Sequence, residues 1–179
     1  MKTPDSNENI GDRDNPASET IYVVDAFDNV CKASSRGEMR QSGLLHRVTY
    51  LLVFNESGQL LVQTRTASKD WYPGFLDFAA GGVVQYGESY GESAQRELDE
   101  ELGIAVALES HFKIYFEDRS TDPVTRSWGR VYSCTSNGPF TLQAEEIDGV
   151  TFMNIDEALA IDPSKVTPDT RLALLSYLL

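Results

Sequence analysis

Cysteine is scarce in this chain of 179 residues, in which Cys31 and Cys134 are the only two. They lie far apart and outside any metal-binding spacing, so the sequence does not indicate a disulfide framework. Long apolar runs are also missing, because no stretch approaches the length of a membrane span. Residues 1–19 lack the apolar core of a signal peptide. We therefore expect a cytoplasmic protein without a membrane partner.

Basic residues are the second shortage, since 15 lysines and arginines face 28 aspartates and glutamates, for a formal net charge of -13. Nucleic-acid backbones and anionic membranes attract basic surfaces, so this balance disfavours both as partners. A small phosphorylated molecule fits better, because bound cations reverse the local field of acidic side chains. The composition does not indicate an oligomeric state.

Two regions of different composition divide the chain. Residues 1–19 are rich in Asp, Asn, Glu, Ser and Pro and contain almost nothing that a core could bury, which predicts a disordered acidic tail. Residues 20–179 alternate β-prone runs with helical segments. A chain of this length with 41% hydrophobic residues can bury a substantial core. We expect residues 20–179 to form one domain.

Hydrophobic runs in that domain predict an α/β fold, with a mixed sheet and helices on both of its faces. The runs TIYVVDA and VCKAS, separated by residues 27–29, predict a leading hairpin. The runs VTYLLVF and QLLVQTR flank a turn that contains glycine and predict a second, longer hairpin. Further strands are expected at FKIYF, GRVYSC and GVTFM, and helices at residues 36–43, after Asn154 and after Thr167.

The most informative stretch runs from Gly82 to Ile104. Gly82 is followed after five residues by Glu88, and after seven more by the run RELDEELGI, residues 96–104. This stretch combines specified glycines with acidic side chains at fixed spacing around one predicted helix. We therefore look for the function there.

Local signals set both ends of that helix. Ser89 and Glu92 form a Ser-x-x-Glu capping box, in which each side chain satisfies an orphan backbone donor, so the helix should begin near Tyr90. Gly103 suits the left-handed conformation that closes a helix, so the helix should stop at Leu102.

Three glutamates of this helix predict a metal site. Glu97, Glu100 and Glu101 stand at i, i+3 and i+4, so their carboxylates share one flank and repel one another. Hard divalent cations prefer carboxylate oxygens, which predicts Mg²⁺ or Mn²⁺ as the cofactor. A solvated acidic face is the alternative, but the glycines and Arg96 at fixed spacing disfavour it.

The spacing from Gly82 to Ile104 resembles the signature of the Nudix hydrolases at every specified position. From about Glu19 to Leu179 the chain is similar to the YfcD-type branch of that superfamily, through LLHRVTYLLVFNESGQLLVQTRTASKDWYPG and LDFAAGGVVQYGES. The resemblance implies a Nudix-type α/β/α sandwich with an N-terminal hairpin extension. It also implies a Mg²⁺- or Mn²⁺-dependent pyrophosphohydrolase that acts on phosphoric anhydrides.

Four acidic side chains and one carbonyl are expected around the metal. Glu97 and Glu101 are the principal ligands, and Glu100 is a third ligand or the proton acceptor. Glu88 is either an outer ligand or a support behind the others. By resemblance, the carbonyl of Gly82 joins the metal shell.

Three further motif residues are expected to support this site. The planar fork of Arg96 suits a two-point grip on a carboxylate, and we expect it to pair with Glu88 and fix the loop. Gly81 allows a sharp turn where a Cβ would intrude, and Gly103 closes the helix.

A general base has to lie within hydrogen-bond reach of the attacking water. Besides Glu100 and Glu101, the catalytic candidate is Glu146, considered together with its neighbour Glu145. By resemblance, Glu146 occupies a loop position from which some relatives supply an acidic residue to the metals. The alternative of equal weight is that both are exposed loop residues.

Candidate substrate-binding residues lie just upstream of the motif. Arg65 and Lys69 are the first candidates to pair with phosphates, although each could be a surface charge. Trp71 and Tyr72 belong to an aromatic loop and could stack on a base, although aromatic residues in such loops are more often core anchors.

The favoured reaction is attack by metal-activated water on the diphosphate linkage of a nucleoside diphosphate-type substrate, either a nucleotide or a nucleotide derivative. Resemblance raises isopentenyl diphosphate isomerase as an alternative. Gly81 stands at the position of its catalytic cysteine, and Val83 and Met39 stand at or near those of two of its ligand histidines. Only His46 matches an isomerase ligand position. We expect His46 to be a partly buried residue bonded to the backbone. A third alternative, a nucleotide-sensing module without turnover, is disfavoured by the intact glutamates.

Overall fold

A computed structural model describes residues 16–179. The predicted disordered tail, residues 1–19, lies outside the described residues except for its last four. Of these, Pro16–Ser18 forms a 3-10 turn against the first helix, and Glu19 forms an ion pair with Arg36. Residues 16–19 therefore belong to the folded part of the chain.

Eight strands and four helices make up residues 16–179. The strands are β1 (Thr20–Val24), β2 (Val30–Ser35), β3 (His46–Phe54), β4 (Leu60–Arg65), β5 (Leu76–Asp77), β6 (Glu109–Asp118), β7 (Thr125–Thr135) and β8 (Ile147–Met153). The helices are α1 (Arg36–Ser42), α2 (Tyr90–Leu102), α3 (Ile155–Leu159) and α4 (Pro168–Tyr177). None of these helices is long and apolar enough to cross a membrane.

The sheet is mixed and is built around β3. Its nine residues run parallel to β7, from His46 beside Ser127 to Phe54 beside Thr135, and β7 pairs antiparallel with β6. β1 and β2 form the predicted leading hairpin, and β1 joins the sheet beside the start of β3. β4 pairs antiparallel with both β5 and β8.

The predicted second hairpin is wrong beyond its turn. β3 and β4 pair only at Phe54 and Leu60, next to the turn. The rest of that edge of β3 is occupied by the segment after β5, residues 79–84, where the Thr49 N–H donates to the Gly82 carbonyl at 2.9 Å. The two strands therefore separate, and the first glycines of the motif lie against the central strand.

Alternating side chains of β3 build a core on each face of the sheet. Tyr50 and Leu52 face one side, where they pack with Ala173 and Leu174 of α4. Leu51 and Val53 face the other side, where the stripe formed by Ala94, Leu98 and Leu102 of α2 covers them. Because helices cover both faces of an open mixed sheet, the predicted α/β/α layering is confirmed.

Helix α2 has the boundaries that the sequence predicts. The Ser89 side chain accepts from the Glu92 N–H, and the Glu92 carboxylate accepts from the Ser89 N–H, so both halves of the capping box are present. Gly103 has a φ of 65° and ends the helix in the left-handed conformation. These two caps hold the acidic residues of α2 in a fixed register over the sheet.

We expect Ser89→Ala to lower the free energy of unfolding by about 1 kcal/mol, because it removes one half of the capping box. Urea denaturation monitored by circular dichroism would measure this loss. Ser57→Ala, at an exposed turn position, is the control and should change stability by less than about 0.5 kcal/mol. Equal effects of the two substitutions would show that the cap does not stabilise α2.

Candidate active site

Two glycines bring the backbone of residues 79–84 into close contact with its neighbours. Gly81 has a φ of 129°, and a Cβ there would lie 2.2 Å from the Thr49 carbonyl oxygen. A Cβ on Gly82 would lie 2.6 Å from Oε1 of Glu97. The absence of side chains at both positions therefore lets the first turn of the motif lie against β3 and against the carboxylate of Glu97.

Arg96 gathers three acidic side chains of the motif. Its Nε and Nη2 donate to the two carboxylate oxygens of Glu88 at 2.7 and 3.0 Å, so the predicted two-point pair is present. Its Nη1 donates to Glu97 at 2.8 Å and to Glu100 at 2.9 Å. Burial opposes the charge of Arg96, but the hydrogen bonds with Glu88 and Glu97 outweigh burial and raise the guanidinium pKa. In this structure Arg96 thus offsets the repulsion among the glutamates.

Glu101 lies deeper than the other glutamates. It is buried, and its Oε2 accepts from the Gly81 N–H at 3.2 Å. Burial, together with the nearby charge of Glu97, raises the Glu101 pKa to about 8. Burial also raises the pKa of Glu97, against the opposing influence of Arg96. For Glu101, which is buried, and for Glu97, whose side chain is 14% exposed, the loss of hydration therefore outweighs the stabilisation of the ionised form by nearby donors.

The residues around Glu97 and Glu101 fit a divalent cation in part. Across residues 16–179, no three His, Cys, Asp or Glu side chains are gathered in a metal-holding group. Glu88 and Glu100 are turned to Arg96, and the Gly82 carbonyl accepts from Thr49. Glu97 is also paired with Arg96, but it and the buried Glu101 still place two carboxylates side by side, which is the donor chemistry that Mg²⁺ and Mn²⁺ prefer.

A cavity of about 200 Å³ opens beside Gly81 and Gly82. It lies between α1, the start of β3, the loop of residues 66–75 and the start of α4. All four predicted substrate-binding residues line it, and so do three arginines outside that set; the seven are Arg36, Arg40, Arg65, Lys69, Trp71, Tyr72 and Arg126. Three aspartates, Asp70, Asp77 and Asp169, also line it, but the five basic side chains outnumber them. Such a local excess of positive charge in a protein of net charge -13 favours an anionic ligand.

Arg65 and Lys69 both bond to other residues of the chain. Arg65 donates from Nη1 to Asp77 at 2.7 Å and from Nη2 to the Trp71 carbonyl at 2.8 Å, so it braces the aromatic loop. Lys69 forms an ion pair with Glu146, so this predicted catalytic residue contacts a side chain that lines the cavity. Burial, and next the charge of Arg65, lower the pKa of Lys69 to about 8.

The two aromatic candidates differ in their contacts. Tyr72 donates its hydroxyl to Asp118 and packs its ring against Phe75, so it anchors the loop. The ring of Trp71 lies at 6.5 Å from that of Tyr72. Both rings line the cavity, and the one of Trp71 is the more available for stacking on a ligand.

His46 is a structural residue, as the sequence predicts. It is buried at the start of β3, and its Nδ1 lies 2.9 Å from the Leu44 carbonyl oxygen. Burial lowers the pKa of His46 to about 4, so the ring is neutral near pH 7. Gly81, Val83 and Met39 line the cavity together with His46. They stand where the isomerase has its cysteine and two histidines.

Sequence reasoning missed Arg36 and Arg40 of α1 as members of the site. Their spacing of i and i+4 on a predicted helix was the available signal. No local pattern places that helix beside the motif glycines, because the contact depends on how β1 and β2 join the sheet.

The chain is similar in sequence and in fold to known proteins of one family. Residues 44–173 match the model of the NUDIX domain. The chain is 48% identical over 167 residues to an uncharacterized Nudix hydrolase of Yersinia pestis, across 92% of this chain and 89% of that protein. It is 43% identical over 159 residues to the uncharacterized Nudix hydrolase YfcD of Escherichia coli K12, across 88% of this chain and 86% of that protein. The crystal structure of DR0079 from Deinococcus radiodurans superposes with a TM-score of 0.69 at 26% identity, across 87% of this chain and 97% of that one.

Proposed function

The chain belongs to the YfcD-like branch of the Nudix hydrolase superfamily, and from this premise we propose that it hydrolyses the diphosphate linkage of a nucleotide or a nucleotide derivative. The observation that carries this proposal is the pair of Glu97 and Glu101 directly behind Gly81 and Gly82, which line a cavity together with four arginines and Lys69. Carboxylates suit a divalent cation, and the basic side chains suit the phosphates that such a cation accompanies.

Glu97 and Glu101 would hold Mg²⁺ or Mn²⁺, with Glu100 as the third acidic group. Such an ion, when bound, polarises phosphate oxygens and lowers the pKa of water. Arg96 holds the Glu88 loop and turns Glu97 toward the Gly82 backbone. In this way the chain orients the carboxylates before any ligand arrives.

Glu100 and Glu146 are the proposed proton acceptors. The side chain of Glu100 is 50% exposed, so it can leave Arg96 and accept a proton from solvent. Glu146 is bound to Lys69 at the cavity wall. A general base has to reach the attacking water by a hydrogen bond, and the proposal requires one of these two side chains to do so once the substrate is bound.

The substrate is proposed to be a small molecule that carries one nucleoside-sized group. The cavity of about 200 Å³ is small, and its walls combine the aromatic rings of Trp71 and Tyr72 with charged side chains. Aromatic rings stack on bases, and guanidinium groups pair with phosphates. The cytoplasmic location remains a prediction from the sequence.

Isomerase chemistry is not favoured by the geometry of Gly81. The isomerase has a catalytic cysteine there, whereas here any Cβ would lie 2.2 Å from the Thr49 carbonyl oxygen. The backbone would have to move before a nucleophilic side chain fitted, so the turn is built for glycine.

A substrate panel tests the proposed function. We expect the purified protein with Mg²⁺ or Mn²⁺ to convert at least one nucleoside diphosphate, nucleoside triphosphate, sugar nucleotide, dinucleotide or coenzyme into two phosphate-bearing products, identified by mass spectrometry. A chelator should remove this activity, and added Mg²⁺ should restore it, because the ion supplies the activation of water and the polarisation of phosphate oxygens that the reaction requires. The panel includes isopentenyl diphosphate. Its isomerisation, or binding of nucleotides without any turnover, would refute the proposal.

A further inference from the structure

Helix α1 contributes two cations to the cavity. Arg36 and Arg40 lie one turn apart on this helix, and both line the cavity together with Gly81 and Gly82. The helix is firmly placed, because Ser35 caps its start and Met39 is buried beneath it. Both guanidinium groups are therefore carried by a helix of the N-terminal extension that is held in place.

Arg36 has hydrogen-bonding capacity that the folded chain leaves unused. Its Nη1 donates to Glu19 at 2.8 Å, whereas its buried Nε has no acceptor among residues 16–179. A buried donor without an acceptor costs free energy, and Arg36 lines the cavity, so a ligand oxygen that reached this guanidinium group would offset that cost.

Arg40 is similarly only partly engaged. Its Nη1 donates to Asp70 at 2.7 Å, and the Asp70 side chain is 74% exposed. A guanidinium group carries five N–H donors in a planar fork, so one ion pair leaves donors for a second anion.

The charge of Arg36 also acts on another basic side chain of the cavity. Burial is the main cause of the lowered pKa of Lys69, and the charges of Arg65 and Arg36 add to it. Arg36 and Lys69 both line the cavity and repel each other, and a bound polyanion would relieve that repulsion.

We propose that Arg36 and Arg40 bind phosphate oxygens of the substrate, which places its diphosphate between α1 and the Gly81–Gly82 turn. This inference rests on the proposed function, and it extends the substrate site to the N-terminal extension. The ligand class is a diphosphate with non-bridging oxygens free to accept from two guanidinium groups. Planar forks recognise such oxygens in pairs, which fixes the orientation of the linkage.

A structural role for the same arginines makes a different prediction. If Arg36 and Arg40 only tie Glu19 and Asp70 to α1, then removal of either carboxylate should have the same consequence as removal of its arginine. If they bind substrate, loss of the carboxylate frees the arginine and does not weaken binding.

The test measures binding of methylenediphosphonate, in which carbon replaces the hydrolysable bridging oxygen, by isothermal titration calorimetry with Mg²⁺ and again with chelator. We expect Arg36→Gln and Arg40→Gln each to raise the Kd by about ten- to 100-fold, the range for a lost hydrogen bond with a charged group. Arg36→Lys should recover part of the affinity, because it keeps the charge but not the fork. The matched controls Glu19→Gln and Asp70→Asn should bind as tightly as the parent or more tightly. Arg130→Gln, which removes an arginine outside the cavity, should change nothing.

The inference is overturned if the parent protein does not bind the probe, if both glutamine variants bind like the parent, or if Glu19→Gln weakens binding as much as Arg36→Gln. Melting temperatures of all variants identify any loss of fold, and Arg36→Lys then supplies the comparison. Failure of the proposed function is separately visible. Arginine-dependent binding without hydrolysis of any panel compound would refute the enzyme but not the arginines, whereas hydrolysis with an unchanged KM in both variants would refute the arginines.

Discussion

Glu101→Gln is expected to lower turnover by more than about 100-fold, since even residues that only support a metal ligand commonly contribute 10–100-fold. The buried carboxylate of Glu101 lies beside Glu97 and accepts from the Gly81 N–H. Glutamine keeps the size of the side chain and one acceptor oxygen, but it loses the charge that a divalent cation requires. Steady-state kinetics with the best panel substrate would measure the loss.

The same substitution should stabilise the protein when no divalent cation is present. The pKa of Glu101 is raised from its ordinary value of 4.5 to about 8 by burial and by Glu97, so the unfolded chain releases this proton more readily. Stability therefore falls as the pH rises from about 4.5 to 8. Glutamine does not ionise, so at pH 8 in chelator the variant should unfold with a free energy higher by on the order of 1 kcal/mol or more.

Added Mg²⁺ should make the parent protein more stable than Glu101→Gln. An ion that binds only the folded state raises the melting temperature, and we expect this rise for the parent protein and not for Glu101→Gln. Asp99→Asn removes an exposed charge from the same helix and is the control, so it should keep both activity and the response to Mg²⁺. A Glu101→Gln variant that turned over as fast as the parent would show that Glu101 is not a ligand.

The parts of this site that the sequence predicts are those set by local interactions. The capping box of Ser89 and Glu92 and the left-handed Gly103 fix both ends of α2, so the positions of Glu97 and Glu101 on the helix follow from spacing alone. The pair of Arg96 with Glu88 could also be predicted, because Glu88 lies in the loop before the helix and a planar fork suits a two-point grip on its carboxylate.

Long-range pairing explains what the sequence does not predict. A turn between VTYLLVF and QLLVQTR gives no sign that residues 79–84 will take the edge of β3, or that β3 will pair in parallel with β7. Both arrangements depend on segments far apart in the chain. For the same reason, the helix that carries Arg36 and Arg40 was expected, whereas its place beside the cavity was not.

Gly81→Ala is expected to cause the largest loss of stability, about 3–5 kcal/mol, because two costs combine there. A φ of 129° is unfavourable for any residue with a Cβ, and that Cβ would lie 2.2 Å from the oxygen and 2.9 Å from the carbon of the Thr49 carbonyl. Both atoms belong to the backbone of the central strand, so they cannot rotate away as a side chain would. Urea denaturation would measure the change.

Gly87→Ala separates the two costs. Gly87 also has a positive φ, 98°, but a Cβ there would meet nothing within 4 Å. This variant should therefore lose only the stability that a positive φ costs a residue with a Cβ, about 1–2 kcal/mol. The difference between the two variants measures how tightly the turn is pressed against β3, and the same contact holds the Gly81 N–H at Glu101. Equal losses would mean that the turn can move away from Thr49 at little cost, in which case the backbone could not fix Glu101 in place for a metal ion.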